Sequence, residues 1–342
     1  MHIDEIQRAI DSLPRERLLH LPTPLQPLDH LRQLIGGPRV WIKRDDLTGL
    51  AFGGNKSRYL EFTLAAARAS GADAVVLSAV VHSNHCRQFA AAAARLGLEA
   101  VVVLRQDDTA MGRTDPATGN YLLDQLFGAR IRVCAANDVA ATVAEEMDRL
   151  RAAGRRPFTG LSALLSRVAY IQCALELAVQ CDAAQIQPAT VVIGSGSNSL
   201  AGLLAGFTLL GREIPLLGTP QGHLRDPEQA PQRLVDAAAE AIRHLGLAVA
   251  MPPASLVRVD DGFVGPGFGH LDAPTLAAIR QLARSEGLLV DPAYTGKAFS
   301  ALLSGIREGL WSTDQDLLFV HTGGTPLLFT YSDELLVQQG NQ

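Results

Sequence analysis

The chain has 342 residues, 47% apolar and 19% charged, with 31 glycines and 5% aromatics, a profile that suits a two-lobed globular α/β protein with many tight turns. A formal net charge of −5, with no basic block and no aromatic–basic interleaving, makes nucleic acid and anionic membrane poor partners. No apolar segment reaches the roughly 18–20 residues of a membrane span, and the start Met1-His2-Ile3-Asp4-Glu5 is acidic and does not read as a secretory signal. Cys86, Cys134, Cys173 and Cys181 are scattered without a C-x-x-C pair, which reads as reduced thiols in the cytoplasm and suggests no metal site.

Taken in order, residues 1–20 predict a short amphipathic helix through Ile6, Ala9, Ile10 and Leu13, broken at Pro14. Leu21-Pro22-Thr23-Pro24-Leu25 is extended, because each proline bars its predecessor from the helical region. Val40–Lys43 is a strand followed by the charged turn Arg44-Asp45-Asp46. Gly53-Gly54-Asn55-Lys56-Ser57-Arg58 then allows a tight backbone path into a helix expected from Ser57 to a stop at Gly71. Beyond it, strands at 74–79, 100–104, 131–134, 190–193, 215–218, 256–259 and 317–321 alternate with helices at 84–96, 121–126, 139–153, 163–179, 199 onward, 232–245 and 275–285. This alternation indicates parallel sheets with crossover helices in two α/β lobes, with 1–57 plus 166–342 as the large lobe and 58–165 inserted as the smaller.

Ligands of open α/β sheets sit beyond the carboxyl ends of strands, and four loops there carry unusual residues. In Val81-His82-Ser83-Asn84-His85, Ser83 and Asn84 are plain helix caps or hold a carboxylate at a helix N-terminus, and His82 and His85 read as surface residues. Gly194-Ser195-Gly196-Ser197-Asn198-Ser199 is a turn or a nest of N–H donors for phosphate. It is neither G-x-G-x-x-G nor a Walker loop. In Asp291-Pro292-Ala293-Tyr294-Thr295-Gly296-Lys297, Tyr294 packs on a proline turn and Lys297 reads as a solvated helix residue. His321-Thr322-Gly323-Gly324 reads as a turn leading into a helix, with Thr322 as its cap. Lys56 stands at a loop–helix junction, where the first turn's partial positive charge disfavours its ammonium, so it is a candidate amine nucleophile. A lysine, a phosphate nest, a second anion site and a strand-end hydroxyl together suit pyridoxal 5′-phosphate.

These motifs, with Trp41-Ile42-Lys43-Arg44-Asp45-Asp46 and Ser83-Asn84-His85-Cys86-Arg87-Gln88, resemble the D-cysteine desulfhydrase / 1-aminocyclopropane-1-carboxylate deaminase family, fold-type-II (tryptophan-synthase-β-like) pyridoxal-phosphate enzymes, in family order from about residue 20 to 332. The resemblance implies that Lys56 carries the cofactor through its amine and shuttles the Cα proton, beside Asn55. Asn84 would meet the cofactor's 3-hydroxyl, and Ser195, Gly196, Ser197, Asn198 and Ser199 its phosphate. Thr322 would meet the pyridine nitrogen, with Thr295 also on the cofactor side. Ser83 would act at the substrate carboxylate or in proton transfer, and Asn84, His85, Ser162, Phe268 and Tyr294 would line the substrate. The implied protein is a cytoplasmic homodimer acting on a small amino acid.

Where the deaminase branch has glutamate and leucine, this chain has Thr295 and Thr322, which favours elimination of a β-substituent over cyclopropane ring opening. Other departures are Phe268 in place of tyrosine, His82 in place of glutamine, Asn198 in place of glycine, and Thr159-Gly160-Leu161-Ser162 in place of Gly-Gly-Ser-Asn. The expected activity is elimination from D-cysteine or a related β-substituted alanine. The alternatives are a cysteate sulfo-lyase, an amino-acid racemase and a cyclopropane-carboxylate deaminase.

Overall fold

The computed structural model describes residues 1–160 and 162–336. Its strands are β1 (Leu25–Pro27), β2 (Arg39–Arg44), β3 (Ala74–Val80), β4 (Glu99–Arg105), β5 (Arg130–Cys134), β6 (Pro157–Thr159), β7 (Pro188–Ile193), β8 (Leu216–Gly218), β9 (Val257–Val259) and β10 (Asp316–His321). They form a six-stranded sheet of order β1-β2-β10-β7-β8-β9 and a four-stranded sheet of order β5-β4-β3-β6. Every pair is parallel except β1, which runs antiparallel to β2. The mixed α/β architecture with parallel sheets is the one the alternating pattern predicts.

The chain divides into two compact units. One comprises Met1–Leu13, Leu21–Leu47 and Ala163–Gly323 and holds the six-stranded sheet. Its central strands are continuous apolar runs, Leu317–Val320 in β10 and Val191–Ile193 in β7, buried as expected of parallel strands covered on both faces. Because β10 and β7 are neighbours in parallel register, the loops after His321 and Ile193 leave the sheet side by side. The helices Ala163–Ala184 and Asn198–Leu209 approach closely through Gly202 and Gly206. A Cβ at either would come 2.4 Å from the Cβ of Tyr170 or Ala174.

The other unit comprises Pro14–His20, Thr48–Ser162 and the C-terminal segment from Gly324, and holds the four-stranded sheet. Period-2 alternation sends Val75, Leu77, Val102 and Leu104 to one face, under Leu60, Leu64 and Phe89. Val76, Val101 and Val103 go to the other, under Met147 and Leu150. Helix Asn84–Leu96 ends where Gly97 turns left-handed (φ 70°), as the sequence predicts. The Lys56 helix runs Lys56–Ala69, one residue earlier than expected at its start. Strands β1 and β6 and the helix Asp29–Ile35 were not anticipated, while the helix Thr295–Arg307 carries Lys297 as the sequence reading expects.

Candidate active site

In the unit with the four-stranded sheet, Lys56 is the first residue of its helix and follows Gly53 and Gly54, both at positive φ (65° and 119°). The junction is tied to the neighbouring helix Asn84–Leu96. Arg87 donates to the Gly53 carbonyl (2.7 Å), and the Ser57 backbone N–H and hydroxyl both donate to Gln88 Oε1 (2.8 Å each). A Cβ on Gly54 would meet Gln88 Nε2 at 2.7 Å, so glycine is required where these two elements touch. Among the described residues the Lys56 ammonium has no hydrogen bond and no ion pair, and it lies 5.2 Å from the centre of the Tyr59 ring. Desolvation by burial lowers its pKa from 10.5 to about 8.

The loop after β3 supplies the companions. Ser83 caps helix Asn84–Leu96, its Oγ accepting from the N–H groups of His85 (3.1 Å) and Cys86 (3.3 Å). Asn84 Oδ1 accepts from Asn120 (2.9 Å) and Arg87 (3.3 Å), which turns the amide so that Nδ2 is the donor left for a ligand. Asn55 donates to the Tyr59 hydroxyl (3.0 Å). Ser162 follows the carboxyl end of β6, beside β3 in the sheet, while Leu161 of that loop lies outside the described residues.

The histidines are not surface residues, contrary to the sequence reading. His82 is 1% exposed, and His85 is half-buried with Nε2 fully enclosed and, among the described residues, without a hydrogen-bond partner. Desolvation lowers the pKa of His82 to about 4. Desolvation, followed by the charge of Lys56, lowers that of His85 to about 3, so both rings are neutral at pH 7. Sequence reasoning also missed Asn120, a buried amide that joins the His82 carbonyl (2.8 Å), Asn84 and Arg87. Its partners lie 33–38 residues away, so no local signal marks it.

In the unit with the six-stranded sheet, the loop after β7 enters helix Asn198–Leu209 at Ser197, which makes no side-chain cap among the described residues, an arrangement that suits an anion at the helix start. Ser195 Oγ accepts from the Ser197 N–H (3.3 Å), and Asn198 Oδ1 is held by Arg167 (3.1 Å). Ser199 is buried. A Cβ on Gly196 would come 2.8 Å from Pro220 Cβ, and one on Gly194 would come 3.0 Å from the Tyr294 carbonyl, so the loop lies directly against the Tyr294 turn. The Tyr294 ring is 5.9 Å from that of Phe268.

Asp291 builds that turn, accepting from the N–H groups of Ala293 (2.8 Å), Tyr294 (2.7 Å) and Thr295 (3.0 Å) and from the Thr295 hydroxyl (2.5 Å). The Thr295 side chain is thereby committed to the turn, and it also approaches the Gly323 carbonyl (3.4 Å). Thr322 follows β10, caps no helix, and its hydroxyl makes no hydrogen bond among the described residues. The structure therefore gathers Ser195–Ser199, Phe268, Tyr294, Thr295 and Thr322 in one unit, and Asn55, Lys56, Ser83, Asn84 and His85 in the other. Lys297, expected to be solvated, is 2% exposed and donates to the Val264 carbonyl.

These groups fit pyridoxal phosphate. A desolvated amine without a counter-ion suits the aldehyde, an uncapped glycine–serine helix start suits the phosphate, and an uncommitted neutral hydroxyl suits the pyridine nitrogen. The enclosed His85 Nε2, unpartnered among the described residues, is the kind of buried polar atom that a ligand or water completes.

Residues 17–323 match a family described as "Pyridoxal-phosphate dependent enzyme". The chain is 38% identical to a D-cysteine desulfhydrase of Yersinia enterocolitica over 335 residues, 96% of this chain and 99% of that protein. It is 36% identical to a D-cysteine desulfhydrase of Serratia proteamaculans over the same shares. It superposes on the solved structure of an ACC deaminase homologue with a TM-score of 0.84 at 33% identity, covering 98% of this chain and 99% of that one.

Proposed function

Because the chain belongs to the family of pyridoxal-phosphate-dependent enzymes, we propose that it is a lyase that eliminates the β-substituent of a small amino acid, with D-cysteine as the substrate. The balance is D-cysteine plus water giving pyruvate, ammonia and hydrogen sulfide: a proton leaves Cα, the Cβ–S bond breaks, and hydrolysis releases the nitrogen. Pyridoxal phosphate, when bound, draws electrons from the bonds to Cα of the amino acid joined to it.

The chain's residues do the rest. Lys56 holds the cofactor through its amine and, once the substrate has displaced it, takes the Cα proton. A pKa near 8 leaves a useful share of free base at neutral pH. Ser83 donates its hydroxyl proton to the substrate carboxylate, with Asn84 completing that anion site beside the capped helix start. Asn84 Nδ2 also reaches the cofactor's 3-hydroxyl, and Asn55, through Tyr59, walls the amine. The Ser195–Ser199 loop holds the phosphate, Thr322 meets the pyridine nitrogen, and Thr295 fixes the turn that presents Tyr294. His85, Ser162 and Phe268 complete the substrate lining.

The observation that carries this reading is the half-buried Lys56 amine, which stands at the first turn of its helix and has no carboxylate partner among the described residues. Four cysteines without disulfides, three of them buried, support a cytoplasmic setting, and the proposal includes a homodimer. No helix among the described residues is long and apolar enough to cross a membrane. The test is a panel of D- and L-β-substituted alanines and the cyclopropane amino acid, assayed for oxo acid, ammonia, sulfide and sulfite. Pyruvate and sulfide from D-cysteine are expected. Sulfite from cysteate, racemisation without oxo acid, or 2-oxobutyrate as the main product would each replace the proposal.

A further inference from the structure

The turn that carries Phe268 is rich in glycine. Gly265, Gly267 and Gly269 sit at φ of 66°, 142° and 81°, a path that glycine permits but does not itself enforce. The restraint comes from side chains outside the turn. Lys297 Nζ donates to the Val264 carbonyl at one end and lies 3.9 Å from the Asp272 carboxylate at the other. Asp272 also caps helix Ala273–Glu286, accepting from the Thr275 N–H at 2.8 Å. His223 Nε2 reaches the Gly265 carbonyl at 3.2 Å.

Lys297 stands in the first turn of helix Thr295–Arg307, three residues after Tyr294. A buried cation near a helix N-terminus is opposed by both desolvation and the helix dipole. Desolvation lowers its pKa, while the charges of Asp272 and Asp291 act to raise it. An apolar side chain would fill the same space without that penalty, so the ammonium is there for what it binds.

We propose that Lys297 is a positioning residue that fixes the Val264–Asp272 turn, and with it the Phe268 ring against Tyr294, thereby limiting the size of the β-substituent the substrate can carry. The proposal rests on the reading that Phe268 and Tyr294 line the substrate.

The test compares the holoenzyme with its Lys297→Met variant, which keeps the apolar stem and loses the ammonium. Amide hydrogen exchange over 262–269 is expected to quicken about tenfold, with little change in helix Thr295–Arg307. KM for D-cysteine should rise about tenfold, more than kcat falls, while discrimination against S-alkylated D-cysteine weakens. The Lys297→Met/Phe268→Ala double variant should be no worse than Phe268→Ala alone, since both remove the same ring contact. Should Lys297→Met not fold, Asp272→Asn keeps a helix cap while removing the charge facing Lys297, and the same changes, smaller in size, are expected. Unchanged exchange in the turn, or additive KM effects in the double variant, would overturn the proposal. A wild-type enzyme that ignores every amino acid in the panel would instead sink the functional reading, while the exchange experiment still decides whether Lys297 holds the turn.

Discussion

Among the described residues the Lys56 ammonium has an aromatic face beside it and no anion, and desolvation lowers its pKa. The folded pKa of about 8 lies below the unfolded value of 10.5. Between these values the unfolded chain holds a proton that the folded one has lost, so stability of the cofactor-free protein rises with pH across that window. The rate at which cofactor-free protein regains visible absorbance on addition of pyridoxal phosphate should climb with pH through about 8 and then level. A rate still climbing toward 10.5 would show that the amine is solvated. Lys56→Ala should lose the absorbance of the lysine-bound cofactor and reduce turnover by about 10³-fold or more, and full activity in that variant would end the assignment. The lysine was legible in the sequence because two adjacent glycines and a helix start mark it locally. The burial of His85 and Lys297 was not, since the walls that enclose them come from distant parts of the chain.

The helix Val139–Ala152 is held to its sheet by a cluster centred on Glu146, a side chain only 1% exposed. It meets Arg130 (3.0 Å) and Arg132 (2.5 Å) of β5 and Arg149 (2.7 Å) of its own helix. Burial opposes the carboxylate, but hydrogen bonds from Arg149, Arg130 and Arg132 outweigh it and hold the pKa at about 2. The folded pKa is depressed, so this stability is present above the usual carboxylate range and is lost as pH falls through about 2. Glu146→Gln should cost about 1–3 kcal/mol in urea unfolding at pH 7, and the difference from wild type should shrink toward pH 2. A constant difference at all pH would mean that packing, not charge, is lost. Elements of this kind were readable where their signals are local. Short valine-rich apolar runs marked β3 and β4, and Gly97 marked a helix end. The three-residue strands β1 and β6 carry too few residues to show a period.

For the whole molecule, the cofactor is a ligand of the folded state alone, so it must raise stability by mass action, by about 2.7 kcal/mol at a free concentration of 100 times Kd. On the proposed reading, a covalent anchor at Lys56 and a phosphate anchor at Ser195–Ser199 would contribute separably to that Kd. Lys56→Ala should therefore keep a measurable part of the thermal shift that pyridoxal phosphate gives, because the phosphate contacts remain. Gly196→Ala works on the other anchor: its new methyl would come 2.8 Å from Pro220 Cβ, and the loop must move off its N–H donors to make room. Overpacking of this size is worth about 1–2 kcal/mol, which weakens Kd about tenfold and removes about 1.4 kcal/mol of the stabilisation at a fixed concentration. Inorganic phosphate should compete with the cofactor on the Lys56→Ala protein and compete less on Gly196→Ala. A Gly196→Ala protein that binds the cofactor as tightly as wild type would place the phosphate elsewhere, and with it the orientation assigned to Thr322 and Tyr294.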